Sequence, residues 1–331
     1  MPGYTQGAER HGKDYASCSG CGLCLLVCPV WRRQRDIGLT PLARARALQH
    51  GAAAADIAES IRSCTLCAAC EPVCPEDISL VEMTLDLRRQ LVQPAAVVNL
   101  RDRLEQQAAR PVAVHSSPTA LLPGPALRER PATLERVVEL LGGKGRIALG
   151  DDAAEDIALA LEAGAAIPAS GLEHFLRPLR GLRNIVVADG LLLRQLRLWL
   201  PQSTITGLGV ALSSLAAVRR HLRANDLYII EARAYHADYQ RLVRHYDTLR
   251  RATGCALNLD LQRIAIPASA RSLPQRLGLE RIDDTVQARW ILQGRSVARI
   301  VVESVEDAAA FAQAGDTPVV HLADLADDGT S

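Results

Sequence analysis

Residues 18–29 read CSGCGLCLLVCP, and residues 64–75 read CTLCAACEPVCP. Eight of the nine cysteines in this chain lie in these two packets, each a C-x2-C-x2-C-x3-C run closed by a proline. No other feature limits the fold as much, because eight thiols so close in sequence have to be used as disulfides or as metal ligands. The first residues, MPGYTQGAERHGKDYASCS, contain no apolar run of the secretory type. The expectation is therefore a cytoplasmic protein, and there such packets bind metal.

Thiolates are soft ligands that suit iron–sulfur clusters or zinc. The x2-x2 spacing lets three sulfurs face one concavity and take three corners of a cube. The fourth cysteine lies past a turn and faces away; in two-cluster ferredoxins it ligates the other cluster. One [4Fe–4S] cluster is thus expected on Cys18, Cys21, Cys24 and Cys74, and a second on Cys64, Cys67, Cys70 and Cys28, with Pro29 and Pro75 turning the chain away. The competing reading is a pair of structural zinc sites, but zinc ribbons space their C-x2-C pairs much farther apart. Backbone N–H groups of Gly20, Gly22, Leu23, Leu66 and Ala68 are candidate donors to the sulfurs. The two glycines also read simply as turn residues.

The rest of the chain has a different texture. Two short helices broken near Gly51 are expected in residues 40–63, and another helix in DISLVEMTLDLRRQLV (77–92). Residues 111–131 hold five of the chain's 17 prolines, which predicts an extended linker or surface strap. Beyond it, RIALG (146–150), NIVVAD (184–189), DLYIIEA (226–232) and ARIVVES (298–304) read as strands separated by helical patterns, the mark of a mainly parallel sheet covered on both faces. The fold class expected is α+β overall. A mostly helical dicluster ferredoxin-like domain would span 1–110, a linker 111–131, and an α/β domain of two pseudo-repeats 132–331. The repeat is read from RIALGDDAAEDIALALEAGAAIP (146–168) and ARIVVESVEDAAAFAQAGDTPVV (298–320).

Several alternatives are weighed against composition. Lys plus Arg is 38 against 37 for Asp plus Glu, which offers no case for nucleic acid as a partner. The uncharged stretch LWLPQSTITGLGVALSSLAAV (198–218) is long enough to span a bilayer, but its polar residues, proline and glycines fit a buried strand, turn and helix better. LGGKGR (141–146) lacks the strand-before, helix-after context of a phosphate loop, so no flavin or nicotinamide site is expected. Tyr235, His236 and Asp238, just past a strand, are a candidate site weighed against an ordinary polar loop. DLQRIAIPASA (260–270) is a candidate cleft edge. Cys255, the only cysteine after residue 74, reads as a buried thiol. One thiol cannot hold a cluster, so residues 132–331 are expected to bind none.

The segments CGLCLLVCPVWR and CTLCAACEPVCPEDI resemble the dicluster domain found in the small iron–sulfur component of heterodisulfide reductase. The same domain opens the iron–sulfur subunits of glycolate oxidase and anaerobic glycerol-3-phosphate dehydrogenase, and the resemblance covers about residues 14–92. It implies an electron-transfer role within a heterodisulfide reductase-like complex. The implied partners are a flavoprotein and the Cys-Cys-Gly component of such a complex, with any membrane association made through them. Residues 145–325 resemble the two-repeat skeleton of that Cys-Cys-Gly component, but the Cys-Cys-Gly motifs themselves are absent here. The implied function is electron relay in sulfur or thiol/disulfide metabolism. Two other classes are an iron–sulfur enzyme whose α/β domain binds a 2-hydroxy acid or glycerol 3-phosphate, and a redox sensor without turnover.

Overall fold

The computed structural model describes residues 13–111, 117–269, 271–281, 283 and 285–327. It is about half helical, with two four-stranded sheets that are parallel throughout, the α+β class that the sequence predicts. Chain contacts group into two compact units, neither continuous in sequence. One is Met1–Ala113 with Asp152–Pro178 and Arg271–Ile282; the other is Val114–Asp151 with Leu179–Ala270 and Asp283–Ser331.

The first unit is helical in its described residues. The Thr40 hydroxyl caps helix Pro41–Gln49 by accepting from the Ala43 N–H at 3.3 Å, and Pro41 opens the helix with its φ already set. Past Gly51, helix Ala58–Ser63 leads into the second cysteine packet. These are the two short helices expected there. Helix Leu80–Arg89 buries Leu80, Val81, Met83, Leu85 and Leu87, the helical stripe legible in its sequence. Helix Ala153–Ala163 packs beside it, helices Leu100–Ala108 and Ala169–Leu176 pack on that helix and on each other, and Arg103 pairs with Asp156 at 2.6 Å. Gly164 ends helix Ala153–Ala163 against the end of helix Leu80–Arg89. A Cβ there would lie 2.7 Å from the Arg89 nitrogen, so the approach requires glycine.

The second unit holds both sheets. Strands β1 (Thr119–Leu122), β2 (Ile147–Leu149), β3 (Asn184–Val187) and β4 (Thr204–Gly207) lie in the order β2-β1-β3-β4. Strands β5 (Asp226–Ile229), β6 (Ala256–Leu257), β7 (Arg299–Val302) and β8 (Val319–His321) lie in the order β6-β5-β7-β8. The order is the same in both sheets, which is the two-repeat architecture.

Two expectations need correction. The proline-rich stretch is not simply a linker: it contains β1, an inner strand pairing with β2 on one side and β3 on the other. Its prolines stand outside the strand, where no ladder N–H is lost. The repeat also lies in a different register. Strand β2 is an edge strand whose counterpart is β6, whereas β7 is an inner strand whose counterpart is β3. Residues 146–168 and 298–320 are therefore alike as strand–helix pairs but not equivalent in the repeat.

The strand alternation sorts side chains to two faces. Tyr228, Ile230 and Val301 join Leu121 and Val186 in a core shared by both sheets, while Leu227, Ile229, Ile300 and Val302 pack with Ile291 and Phe311 in a second core. The stretch 198–218 forms β4 and helix Leu208–Ser213, as expected. Among the described residues, no helix is long and apolar enough to cross a membrane.

Candidate metal centre

Helix Pro41–Gln49 carries side chains to both cysteine packets. Gln49 donates through Nε2 to the carbonyls of Tyr15, Ala16 and Cys18 at 3.0, 3.1 and 2.9 Å, fixing the approach to the first packet. Nearer the start of the helix, Arg44 donates to the Ser60 carbonyl at 2.8 Å and the Leu39 carbonyl at 3.2 Å, fixing the approach to the second. The chain before the first packet is tied to the chain after the second: Lys13 N–H donates to the Asp77 carbonyl at 3.4 Å, and Ser79 N–H donates to the Lys13 carbonyl at 3.2 Å. These bonds fold the packets into one small unit.

The backbone repeats from packet to packet. Gly20 and Gly22 both have φ near +78°, and the residues at the same places in the second packet, Leu66 and Ala68, have φ of +52° and +59°. A left-handed non-glycine residue costs about 1–3 kcal/mol and persists where its surroundings dictate it. Such alternation turns successive N–H groups into one concavity, the nest that binds anions and many iron–sulfur clusters. The Leu66 N–H lies near enough to the Cys64 sulfur to lower that thiol, and the Ala69 N–H acts in the same way on Cys67. Leu66 was a donor expected from the sequence; Ala69 was not.

The thiols themselves fall into groups. Cys28, Cys64, Cys67 and Cys70 line one small cavity. Its wall is otherwise mostly apolar, with Arg44 and Thr84 among the polar exceptions. Burial pushes the Cys67 thiol up to about 11, and burial with repulsion from Cys67, Glu71, Cys64 and Cys28 raises that of Cys70 well above its usual value. In the first packet burial pushes Cys24 up to about 12, with Cys28, Cys18, Cys21 and Cys74 adding to the rise. Cys21 is exposed, whereas Cys28 and Cys67 are buried. Buried thiols that repel one another become thiolates when a cationic centre compensates them. Among the described residues, no three His, Cys, Asp or Glu side chains converge closely enough to hold a single metal ion. The donor set, the nests and the cavity fit a polynuclear cluster, whose own breadth keeps its ligands apart.

Cys64 departs from this trend. Burial acts to raise its thiol, but Arg44 and Arg88, with the Leu66 N–H and the Thr84 hydroxyl, bring it below the usual value. Arg88 is 1% exposed. It donates to the carbonyls of Cys64 and Glu162, both at 2.5 Å, and of Ile61 and Arg62, both at 3.3 Å. Sequence reasoning missed Gln49, Arg44 and Arg88. Each sits in an ordinary helical pattern, and nothing local separates a buried arginine from a solvated one.

The candidate residues of the α/β unit do not form an open site. Tyr235 is fully buried in the shared core and donates its hydroxyl to the Arg263 carbonyl at 2.7 Å. His236 is buried beside it, with ring centroids 5.2 Å apart. Asp238 is paired with Arg197 at 3.2 Å and with Arg241. The segment from residue 260 starts as a tight turn in which Asp260 accepts from the N–H groups of Gln262 and Ile264; residue 270 lies outside the described residues. Cys255 is 1% exposed and within 3.1 Å of the Thr253 hydroxyl, as a buried thiol should be.

Residues 14–78 match the family described as the 4Fe-4S dicluster domain. The N-terminal part of the chain is thus a ferredoxin-like, 4Fe-4S-binding segment of the kind that transfers electrons. Comparison of the chain with curated proteins and with solved structures yields no match.

Proposed function

We propose that this protein is the electron-transfer component of a redox complex and carries two [4Fe–4S] clusters with crossed ligation. Cys18, Cys21, Cys24 and Cys74 hold the first; Cys64, Cys67, Cys70 and Cys28 hold the second. The observation that carries this reading is the cavity walled by Cys28 together with the three close cysteines of the other packet. The proximity of Cys74 to Cys24 supports the reciprocal crossing.

The clusters supply reversible one-electron uptake. The chain holds them by thiolate, covers the second with apolar side chains that exclude water, and aims backbone N–H groups at their sulfurs. Such a component relays electrons between a flavoprotein and the catalytic part of a cytoplasmic complex acting on thiols or disulfides, with the α/β unit as docking platform. The carboxyl ends of β5 and β7, where an open α/β sheet would take a ligand, are filled by Glu303, Tyr228 and Tyr246. That favours relay over substrate binding by this unit.

Anaerobic iron and sulfide analysis with EPR of the reduced protein tests the reading. The expected result is about eight irons and eight sulfides per chain, for two four-iron clusters, with signals from two interacting spins. Two zinc ions and no iron in anaerobically prepared protein would overturn it.

A further inference from the structure

Arg44 is 2% exposed, and among the described residues no carboxylate pairs with it. One guanidinium nitrogen, Nη1, is used on the Leu39 carbonyl, the Ser60 carbonyl and, at 3.4 Å, the Ser60 hydroxyl. Its Nε–H is buried and has no hydrogen-bond partner. A buried charged donor left unsatisfied is costly and rare. Arg44 also lines the cavity that Cys28, Cys64, Cys67 and Cys70 share. An unused cationic donor therefore lies at the place where sulfur would gather negative charge.

The arginine nearest Gly20 is Arg46, which is exposed and donates to Gln49 at 2.7 Å. Water and salt screen such a charge, whereas a buried one acts at low dielectric. The second buried cation, Arg88, also belongs to the second packet, but at least four carbonyls share its guanidinium.

We infer that Arg44 raises the reduction potential of the cluster on Cys64, Cys67, Cys70 and Cys28 by a charge-assisted hydrogen bond from Nε–H, making it the higher-potential member of the pair. The inference rests on the two-cluster reading above. Uptake of one electron from an external reductant adds one negative charge to the cluster, with no bond made or broken in the protein. A fixed buried cation stabilises that reduced form more than the oxidised one, so the potential rises. Electrons entering at the more exposed first cluster then settle on the buried second.

The test is an EPR-monitored redox titration of the anaerobic full-length protein beside its Arg44→Met and Arg44→Lys variants, with iron counted in each. About eight irons in the wild type, on the scale set by two four-iron clusters, is the condition for the underlying reading, and a shortfall there sinks that reading, not this one. In Arg44→Met the higher of the two midpoints should fall by the equivalent of at least a tenfold change in the reduction equilibrium, about 59 mV for one electron. The lower midpoint should move much less. Arg44→Lys, which keeps the charge but loses Nε–H, should fall between. The result is taken from whichever variant retains full iron. Equal shifts in both clusters, or no shift, overturn the proposal, as does iron loss in both variants, which would make Arg44 a scaffold for assembly alone.

Discussion

Tyr246 donates its hydroxyl to Glu303 Oε1 at 2.6 Å, inside the α/β unit and out of reach of water. Tyr228 donates to the same oxygen at 2.6 Å, and the Glu231 N–H donates to Oε2 at 2.8 Å. Three donors would ordinarily favour the carboxylate. Burial outweighs them and, with repulsion from Glu231, pushes Glu303 up to about 7. Glu231 and Asp307 are likewise pushed by burial to about 7.

The sign of the pH dependence follows. A carboxyl whose folded value lies above its unfolded one binds protons preferentially in the folded state. Its contribution is fully present below an ordinary value near 4.5 and is lost as pH rises through about 7. The wild type should therefore lose stability between about pH 4.5 and pH 7, with Glu303 accounting for on the order of 3 kcal/mol. Glu303→Gln should flatten that slope. Urea midpoints measured anaerobically across the range check it; parallel slopes in the two proteins would show that Glu303 does not titrate there.

Cys28 stands in the first packet by sequence but lines the cavity of the second. Cys28→Ser should therefore disturb the cluster that Cys64→Ser disturbs, leaving the one that Cys18→Ser removes. Iron content should fall by up to half in each single variant. Reduced-state EPR distinguishes the two clusters, and a Cys28→Ser spectrum matching that of Cys18→Ser would refute the crossing.

Leu121 is fully buried within β1, in register with Leu149 on one side and Val186 on the other. Leu121→Ala should cost about 2–5 kcal/mol, the range for a core leucine. A residue in a surface strap would cost within about 0.5 kcal/mol. Denaturation of the full-length protein separates the two, and the smaller value would contradict β1 as an inner strand.

Much of the candidate site was legible because cluster ligation is a local code. Four cysteines at x2-x2-x3 spacing bring three sulfurs together whatever surrounds them, so the candidate ligand type and the proposed crossing partners Cys28 and Cys74 rest on spacing alone. The apolar runs at β3, β5 and β7 were equally plain, since a strand buried on both faces must be apolar along its length. Strand β1 escaped because its prolines masked it, and proline constrains only the residues next to it.

The sequence by itself determined the chemistry of the ligands, the helical stripes and the alternation of strands with helices, all set by residues within a few positions of one another. Only the tertiary structure decided which segments share a compact unit, among them residues 152–178 and 271–282 joining the cysteine-bearing one. It also decided that Leu66 and Ala68 take the left-handed backbone their counterparts reach as glycines, and that Arg44 is a buried donor while Arg46, two residues on, is exposed. Burial and an unmet hydrogen bond depend on chain brought in from far along the sequence, and neighbouring arginines of one helix acquire different roles only once that chain has packed against one face.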